Sequence, residues 1–323
     1  MQKDKVVFLF PGQGAQYTGM ALDFLAAPGG AAVASLFETA SAVCGQDMRA
    51  LLESDAETLK RTDVSQPAVT LANLAAAAAL EAAGYGPAAC AGFSLGEYAA
   101  LVCAGVIGVE DCFRLVKARG EAMQRSADRL RASGGEAPGM AAVTGLPPAR
   151  VEALIAEWRA AGLNDLYAAN INSPKQLVIS GTAAALAEAE QRFKEAGARR
   201  VLRLQVAGPF HSPLIADAAE AFGPLLETVA FGDPRIPLYS NVTGKRVRSG
   251  AEARRLALAQ ITAPVRWVDE EAAIAADRES AGFTACLEAG PGKVLRGLWR
   301  DSGSDIPCYA AGSAADIAQI GIA

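Results

Sequence analysis

The chain has 323 residues, 51% apolar and 20% charged, with a formal net charge of −5 and a single histidine. That length can bury a sizeable core and suits about two domains, and the composition excludes a disordered chain. The acidic balance argues against an extended nucleic-acid surface, so nucleic acid is not an expected partner.

Six cysteines (Cys44, Cys90, Cys103, Cys112, Cys286 and Cys308) show no C-x-x-C pair and no histidine at ligand spacing. Reduced, mostly buried thiols and no metal centre are expected. "MQKDKVVFLFPGQG" offers only a short apolar run before Pro11, too short for a secretory leader. The alanine-rich run "LANLAAAAALEAAGYG" is closed by Glu81 and Gly84 and does not read as a membrane span. The expected location is the cytoplasm.

In chain order, "KVVFLF" (5–10) reads as a strand and Pro11-Gly12-Gln13-Gly14 as the loop after it. Helical patterns follow over 31–43 and 67–83. A short apolar segment, 88–92, leads into a turn, and "LGEYAALVCAG" continues as a helix ending near Gly105. The segment 109–131 is a further helix, with Cys112, Phe113, Leu115, Val116 and Met123 near one face. "ASGGEAPG" (132–139) reads as a linker. Beyond it the pattern changes to strand 140–144, helix 149–161, strands 166–172 and 176–180, helix 183–196 and strand 200–206. This β-α-β-β-α-β series is that of a ferredoxin-like unit inserted in a larger α/β core. Then "GPFHSPLI" opens a helix, "IPLYSNVTGK" is strand and turn, and "FTACLEAGPGKVLRGL" is strand, loop and helix.

"GFSLG" (Gly92 to Gly96) is a G-x-S-x-G pattern between a strand and a helix. Flanking glycines suit a tight elbow that exposes a serine, and the helix N-terminus supplies free N–H groups for an oxyanion. Ser94 therefore reads either as a nucleophile or as a structural serine turn. Serine needs a base within hydrogen-bond reach. If a Ser–His pair operates, His211 is the only candidate, and its loop at the join of two units is where active sites commonly lie. A packing histidine is the alternative.

Four ordered segments, "FPGQGAQYTGM", "GFSLGEYAAL", "KARGEAMQ" and "GPFHSPLI", resemble those of the malonyl-coenzyme A:acyl carrier protein transacylases, the loading acyltransferases of fatty acid and polyketide synthesis. The resemblance runs over essentially the whole chain. It implies an α/β-hydrolase-like core with a parallel sheet (1–131 and 207–323) and a ferredoxin-like small subdomain (132–206). It further implies Ser94 as nucleophile, His211 as general base, and the backbone N–H groups of Gln13 and Leu95 as oxyanion donors. The backbone carbonyl of Gln260 would receive the other histidine N–H, so that a dyad suffices. Arg119 matches the arginine that binds the malonyl carboxylate, and Gln66 and Asn172 match pocket-lining positions.

Phe210 beside the base resembles the choice of malonyl-selective members, an aromatic ring filling the space an α-methyl would need. On the residues alone, Arg119 reads first as a surface arginine in an i,i+4 pair, and Phe210 reads equally as a packing side chain. The implied partners are malonyl-coenzyme A and an acyl carrier protein, with no membrane and a monomeric chain. No cofactor is implied: coenzyme A arrives as substrate, and phosphopantetheine belongs to the carrier. Arg199, Arg200, Lys245, Arg246 and Arg248 are candidates to receive an acidic carrier. One departure is plain: the family usually has histidine before the nucleophile, and here that residue is Phe93.

Other readings are weaker. In "GQGAQYTG" the glycines are spaced G-x-G-x-x-x-x-G, not as in a dinucleotide fingerprint, and "GPGKVLRG" lacks P-loop spacing. An acyl hydrolase acting on carrier proteins gains nothing from a carboxylate clamp, and a non-catalytic carrier-binding scaffold predicts an eroded Ser–His pair.

Overall fold

The computed structural model describes residues 2–132 and 136–320; residues 133–135 of the expected linker lie outside that range. The first stretch holds strand β1 (Val6–Phe10), helices α1 (Gly30–Cys44), α2 (Met48–Leu52), α3 (Ala56–Lys60) and α4 (Thr62–Ala82), strand β2 (Pro87–Gly92), and helices α5 (Gly96–Cys103) and α6 (Val109–Ala132). The middle holds β3 (Gly139–Thr144), α7 (Pro148–Ala160), β4 (Leu166–Ser173), β5 (Gln176–Gly181), α8 (Ala183–Glu195) and β6 (Arg200–Arg203). The rest comprises α9 (Ala216–Thr228), β7 (Tyr239–Ser240), β8 (Lys245–Arg246), α10 (Gly250–Ala259), α11 (Trp267–Ala276), α12 (Arg278–Ala281), β9 (Ala285–Glu288), α13 (Val294–Ser302), β10 (Cys308–Ala310) and α14 (Ala314–Gln319).

The α/β class and the parallel sheet expected from the sequence are found. The main sheet has the order β10-β9-β1-β2, with every pairing parallel. In β1 all five residues, VVFLF, are buried, as a central parallel strand requires. Alternation sends Val6, Phe8 and Phe10 into the core shared with α4 and α6, while Val7 and Leu9 face the layer holding Trp267 and Trp299.

The middle elements form a four-stranded antiparallel sheet of order β4-β5-β3-β6. One face packs on α7 and α8 through Ala141, Val143, Leu177 and Ile179. The opposite face, carrying Met140 and Val178, joins the core of the parallel-sheet unit.

Several boundaries differ from the sequence expectation. α4 begins at Thr62 rather than 67, because Gln124 of α6 accepts from the Thr62 N–H at 3.1 Å and caps the helix from outside. β6 ends at Arg203 rather than 206; Leu204 still donates its N–H to the Met140 carbonyl of β3 at 2.9 Å, and with Gln205 and Val206 it lines a pocket. The expected strand in "IPLYSNVTGK" is only two residues long, although Leu238 adds a parallel bridge to Cys90 at the edge of β2. Among the described residues no helix is long and apolar enough to cross a membrane.

Candidate active site

β2 delivers the chain to Ser94, and α5 carries it away again two residues later. Ser94 has φ = 49°, a left-handed conformation that non-glycine residues avoid. The glycines on either side make this turn feasible. A Cβ on Gly92 would lie 2.1 Å from the carbonyl of Gly96, and one on Gly96 would lie 2.0 Å from the Phe10 oxygen. Asn241, just beyond β7, holds the elbow: its Oδ1 accepts from the Ser94 N–H at 2.6 Å and its Nδ2 donates to the Gly92 carbonyl at 2.7 Å.

His211 also lies at positive φ, 56°. Its loop is pinned by Ser180 Oγ donating to the Phe210 carbonyl and Ser212 Oγ donating to the Pro209 carbonyl. The imidazole Nε2 sits 2.8 Å from Ser94 Oγ. Nδ1 lies 2.9 Å from the Gln260 carbonyl and 3.2 Å from that of Ala263. Carbonyls only accept, so Nδ1 carries the ring proton and Nε2 is free to take one from Ser94. Burial, with the Arg119 charge adding to it, pushes His211 down to about 4, against partial compensation by the two carbonyls. The imidazole is therefore neutral at pH 7, with Nε2 unprotonated and able to accept a proton.

Around this pair opens a pocket lined by Gln13, Leu95, Arg119, Asn172 and Phe210 as well as the dyad. Among the described residues the backbone N–H groups of Gln13 and Leu95 have no hydrogen-bond partner, and Leu95 immediately precedes α5, at the positive end of its dipole. Arg119 is not the surface residue of an i,i+4 pair: it is 1% exposed. Its Nη1 donates to Gln66 Oε1 and its Nη2 to Gln260 Oε1, both at 3.0 Å, while Nε has no partner. Gln66 thus braces the guanidinium and is not itself part of the pocket wall. Asn172 turns Nδ2 to Gln176 at 2.8 Å and leaves Oδ1 unpaired.

Phe93 lines the pocket and packs edge-on against Trp267, with ring centroids 5.5 Å apart. Of the basic residues expected to face a carrier, Arg246 is already paired with Asp277 at 2.6 Å.

Three residues not anticipated from the sequence complete the site. Glu97, on the first turn of α5, accepts from the Asn241 N–H and from Gln260 Nε2, both at 2.9 Å. Asn241 Nδ2 donates to Glu270 Oε1 at 2.6 Å. Gln260 Nε2 also donates to the Ser94 carbonyl at 3.1 Å. The side chain of Gln260 therefore matters as much as its carbonyl. The only sequence signal for Glu97 is its place three residues after the serine.

A neutral histidine on a strained serine, beside free N–H groups and a buried cation, equips the pocket for acyl transfer from an anionic thioester or ester. Residues 7–295 match the acyl transferase domain family. The chain belongs to that family.

It is 39% identical over 293 residues to the malonyl CoA-acyl carrier protein transacylase of Escherichia coli K12, covering 90% of each chain. It is 39% identical over 299 residues to the polyketide biosynthesis protein ThaF of Burkholderia thailandensis, covering 91% of this chain but 24% of that relative's length. Among solved structures, a malonyl-transacylase in complex with its type II polyketide synthase acyl-carrier protein superposes with a TM-score of 0.86 at 34% identity, covering 98% of both chains.

Proposed function

We propose that this acyl transferase moves a malonyl group from malonyl-coenzyme A to the phosphopantetheine thiol of an acyl carrier protein, through a malonyl ester on Ser94. The observation that carries the reading is the Ser94–His211 contact in the same pocket as a buried arginine that has no ion-pair partner among the described residues. The names of the relatives and of the carrier-bound neighbour support the choice of donor and acceptor.

On this reading, Ser94 Oγ attacks the thioester carbonyl as its proton passes to His211 Nε2. The N–H groups of Gln13 and Leu95 receive the oxyanion; one such donor is worth about 3–4 kcal/mol in comparable enzymes. The imidazolium gives its proton to the departing coenzyme A thiolate. The carrier's thiol then attacks the ester while His211 takes the thiol proton, and Ser94 recovers its own as the ester breaks. The Gln260 carbonyl keeps the ring tautomer fixed throughout. Arg119 pairs with the free carboxylate of the malonyl group, and Phe210 and Asn172 shape the space around it.

The unit at 132–206 is read as a ferredoxin-like subdomain on a core formed by 1–131 and 207–323. The strand order β4-β5-β3-β6, with both helices on one face, supports that division. Six free thiols support a cytoplasmic location.

Intact mass after incubation with malonyl-coenzyme A tests the proposal. A malonyl adduct is expected that is absent in Ser94→Ala and is discharged onto a holo carrier protein. An adduct that persists in Ser94→Ala removes the nucleophile assignment, and discharge to free malonate identifies a hydrolase.

A further inference from the structure

Arg119 is a buried cation whose described contacts are all to neutral groups: the amides of Gln66 and Gln260, and the ring of Tyr98, 5.5 Å from its guanidinium carbon. A buried charge without a counter-charge is costly, so the compensating anion should lie close by. It stands one side chain away. Gln260 accepts from Arg119 through Oε1 and donates through Nε2 to Glu97 Oε2. The amide dipole therefore runs from cation to anion and links them without direct contact. Glu97 is 3% exposed, and its remaining hydrogen bonds come from the Asn241 N–H and, at 3.5 Å, from Ser240 Oγ.

A second buried carboxyl, Glu270, shares Asn241 with Glu97 and leaves Oε2 without a partner. Asn241 donates its N–H to one carboxyl and its Nδ2 to the other, so the two acids face each other across a single residue.

From this arrangement we propose that Glu97 is a positioning residue that serves as the resident counter-charge of Arg119, and that a carboxylate arriving on Arg119 displaces it from that role by driving a proton from solvent onto the Glu97–Glu270 pair. The inference rests on Arg119 receiving the malonyl carboxylate. With the pocket empty, one negative charge in the pair balances the guanidinium. With a malonyl carboxylate bound, that balance is met by the ligand, and a second buried anion is repelled. The bound state therefore holds more protons than the free state.

The charged and titratable groups around Glu97 are Arg119 from α6, Tyr98 beside it on α5 and Glu270 from α11. His211 lies on the other side of Gln260, and Asp269 and Glu271 flank Glu270. Burial, opposed by the Asn241 and Gln260 hydrogen bonds and by Arg119, brings Glu97 up to about 7, and burial with the Glu97 charge holds Glu270 well above the usual carboxylate range. The pair can thus accept a proton at working pH.

The sign follows directly. Because the malonyl-bound state binds more protons, malonyl affinity rises as pH falls through neutrality, while affinity for an acetyl thioester does not. Between about pH 8.5 and pH 6 the malonyl KM should fall by about threefold to tenfold, the range a coupling of half to one pH unit gives.

Proton uptake is read by titrating Ser94→Ala protein with malonyl-coenzyme A, and with acetyl-coenzyme A, in two buffers of different ionisation enthalpy. Uptake with malonyl-coenzyme A only, abolished when Glu97→Gln is added, is the expected result. Glutamine suits this position, since its Oε1 can accept from Asn241 and Gln260 while its Nε2 donates to Ser240. Uptake that survives Glu97→Gln belongs to another group, His211 or Glu270 alone, and overturns the role given to Glu97, as does equal uptake with both thioesters. Malonyl-coenzyme A that binds with no uptake overturns it while leaving the transferase reading intact; failure of malonyl-coenzyme A to bind removes both. Should Glu97→Gln not fold, a protonated-carboxyl C=O band gained in the infrared difference spectrum on malonyl-coenzyme A binding supports the proposal, and no such band overturns it.

Discussion

Ser94 and His211 on one side of the pocket are fixed largely by main chain, whereas Arg119 is held by side chains, the amides of Gln66 and Gln260 and the ring of Tyr98. The histidine Nδ1 is held by two backbone carbonyls and the serine sits in a glycine-flanked turn. The guanidinium is gripped by Gln66 and Gln260, and its Nε has no partner. The dyad is complete before any substrate arrives; the arginine reaches its resident counter-charge only through Gln260 and makes a direct ion pair only with an anionic ligand. Reactive geometry is built into the fold, while selectivity depends on what the ligand itself supplies.

Removing the incomplete partner gives the largest contrast between the two regions. Arg119→Ala is expected to lower kcat/KM for malonyl thioesters by about 10²-fold or more, the cost of leaving a buried charge unpaired, while transfer of acetyl groups is kept or rises. The measurement is the malonyl-to-acetyl ratio of kcat/KM. An equal fall for both thioesters would make Arg119 a structural cation bracing Gln260, and the clamp would have to be sought elsewhere.

How far the site could be read from the sequence follows the same division. The elbow is local: five consecutive residues dictate it, and the strand and helix on either side were visible in the apolar pattern. His211 was identified because no other histidine exists, and its carbonyl partner at Gln260 came from the family resemblance. Asn241, Glu97 and Glu270 escaped, because the fold brings them together from the turn after β7, from α5 and from α11 with no fixed spacing between them. Likewise the start of α4 depends on Gln124, 62 residues away, and no local rule places that cap. The end of β6 depends on the pocket that its continuation has to line.

The dyad side of the comparison is sharpened by pH. Burial and the neighbouring Arg119 lower His211 from 6.5 to about 4. The neutral ring is the base, so kcat/KM for an acetyl thioester, which carries no carboxylate, should stay level from about pH 8 to about pH 5 and fall only as His211 protonates near 4. An acid limb at the ordinary histidine value would mean that the ring is solvated in the working enzyme. The lowered value also carries a stability consequence. Its contribution is present above pH 6.5 and is lost as pH falls from there towards about 4, so circular dichroism at each pH must accompany the rates.

The smallest expected effect concerns the wall shared by both regions. Phe210 is 5% exposed, lines the pocket beside the base, and has its carbonyl anchored by Ser180, so its ring is replaceable without releasing the loop. Phe210→Ala opens room next to the acyl α-carbon, and a methyl group in such a space is worth about 1–3 kcal/mol of discrimination. The ratio of methylmalonyl to malonyl transfer should therefore rise by about tenfold, mainly through faster methylmalonyl loading, with the malonyl-to-acetyl ratio nearly unchanged because Arg119 is untouched. If the methylmalonyl ratio stays fixed while both rates fall, the ring is acting as packing for the His211 loop. Steric selection would then have to come from other apolar side chains of that pocket, such as Leu95 or Met123.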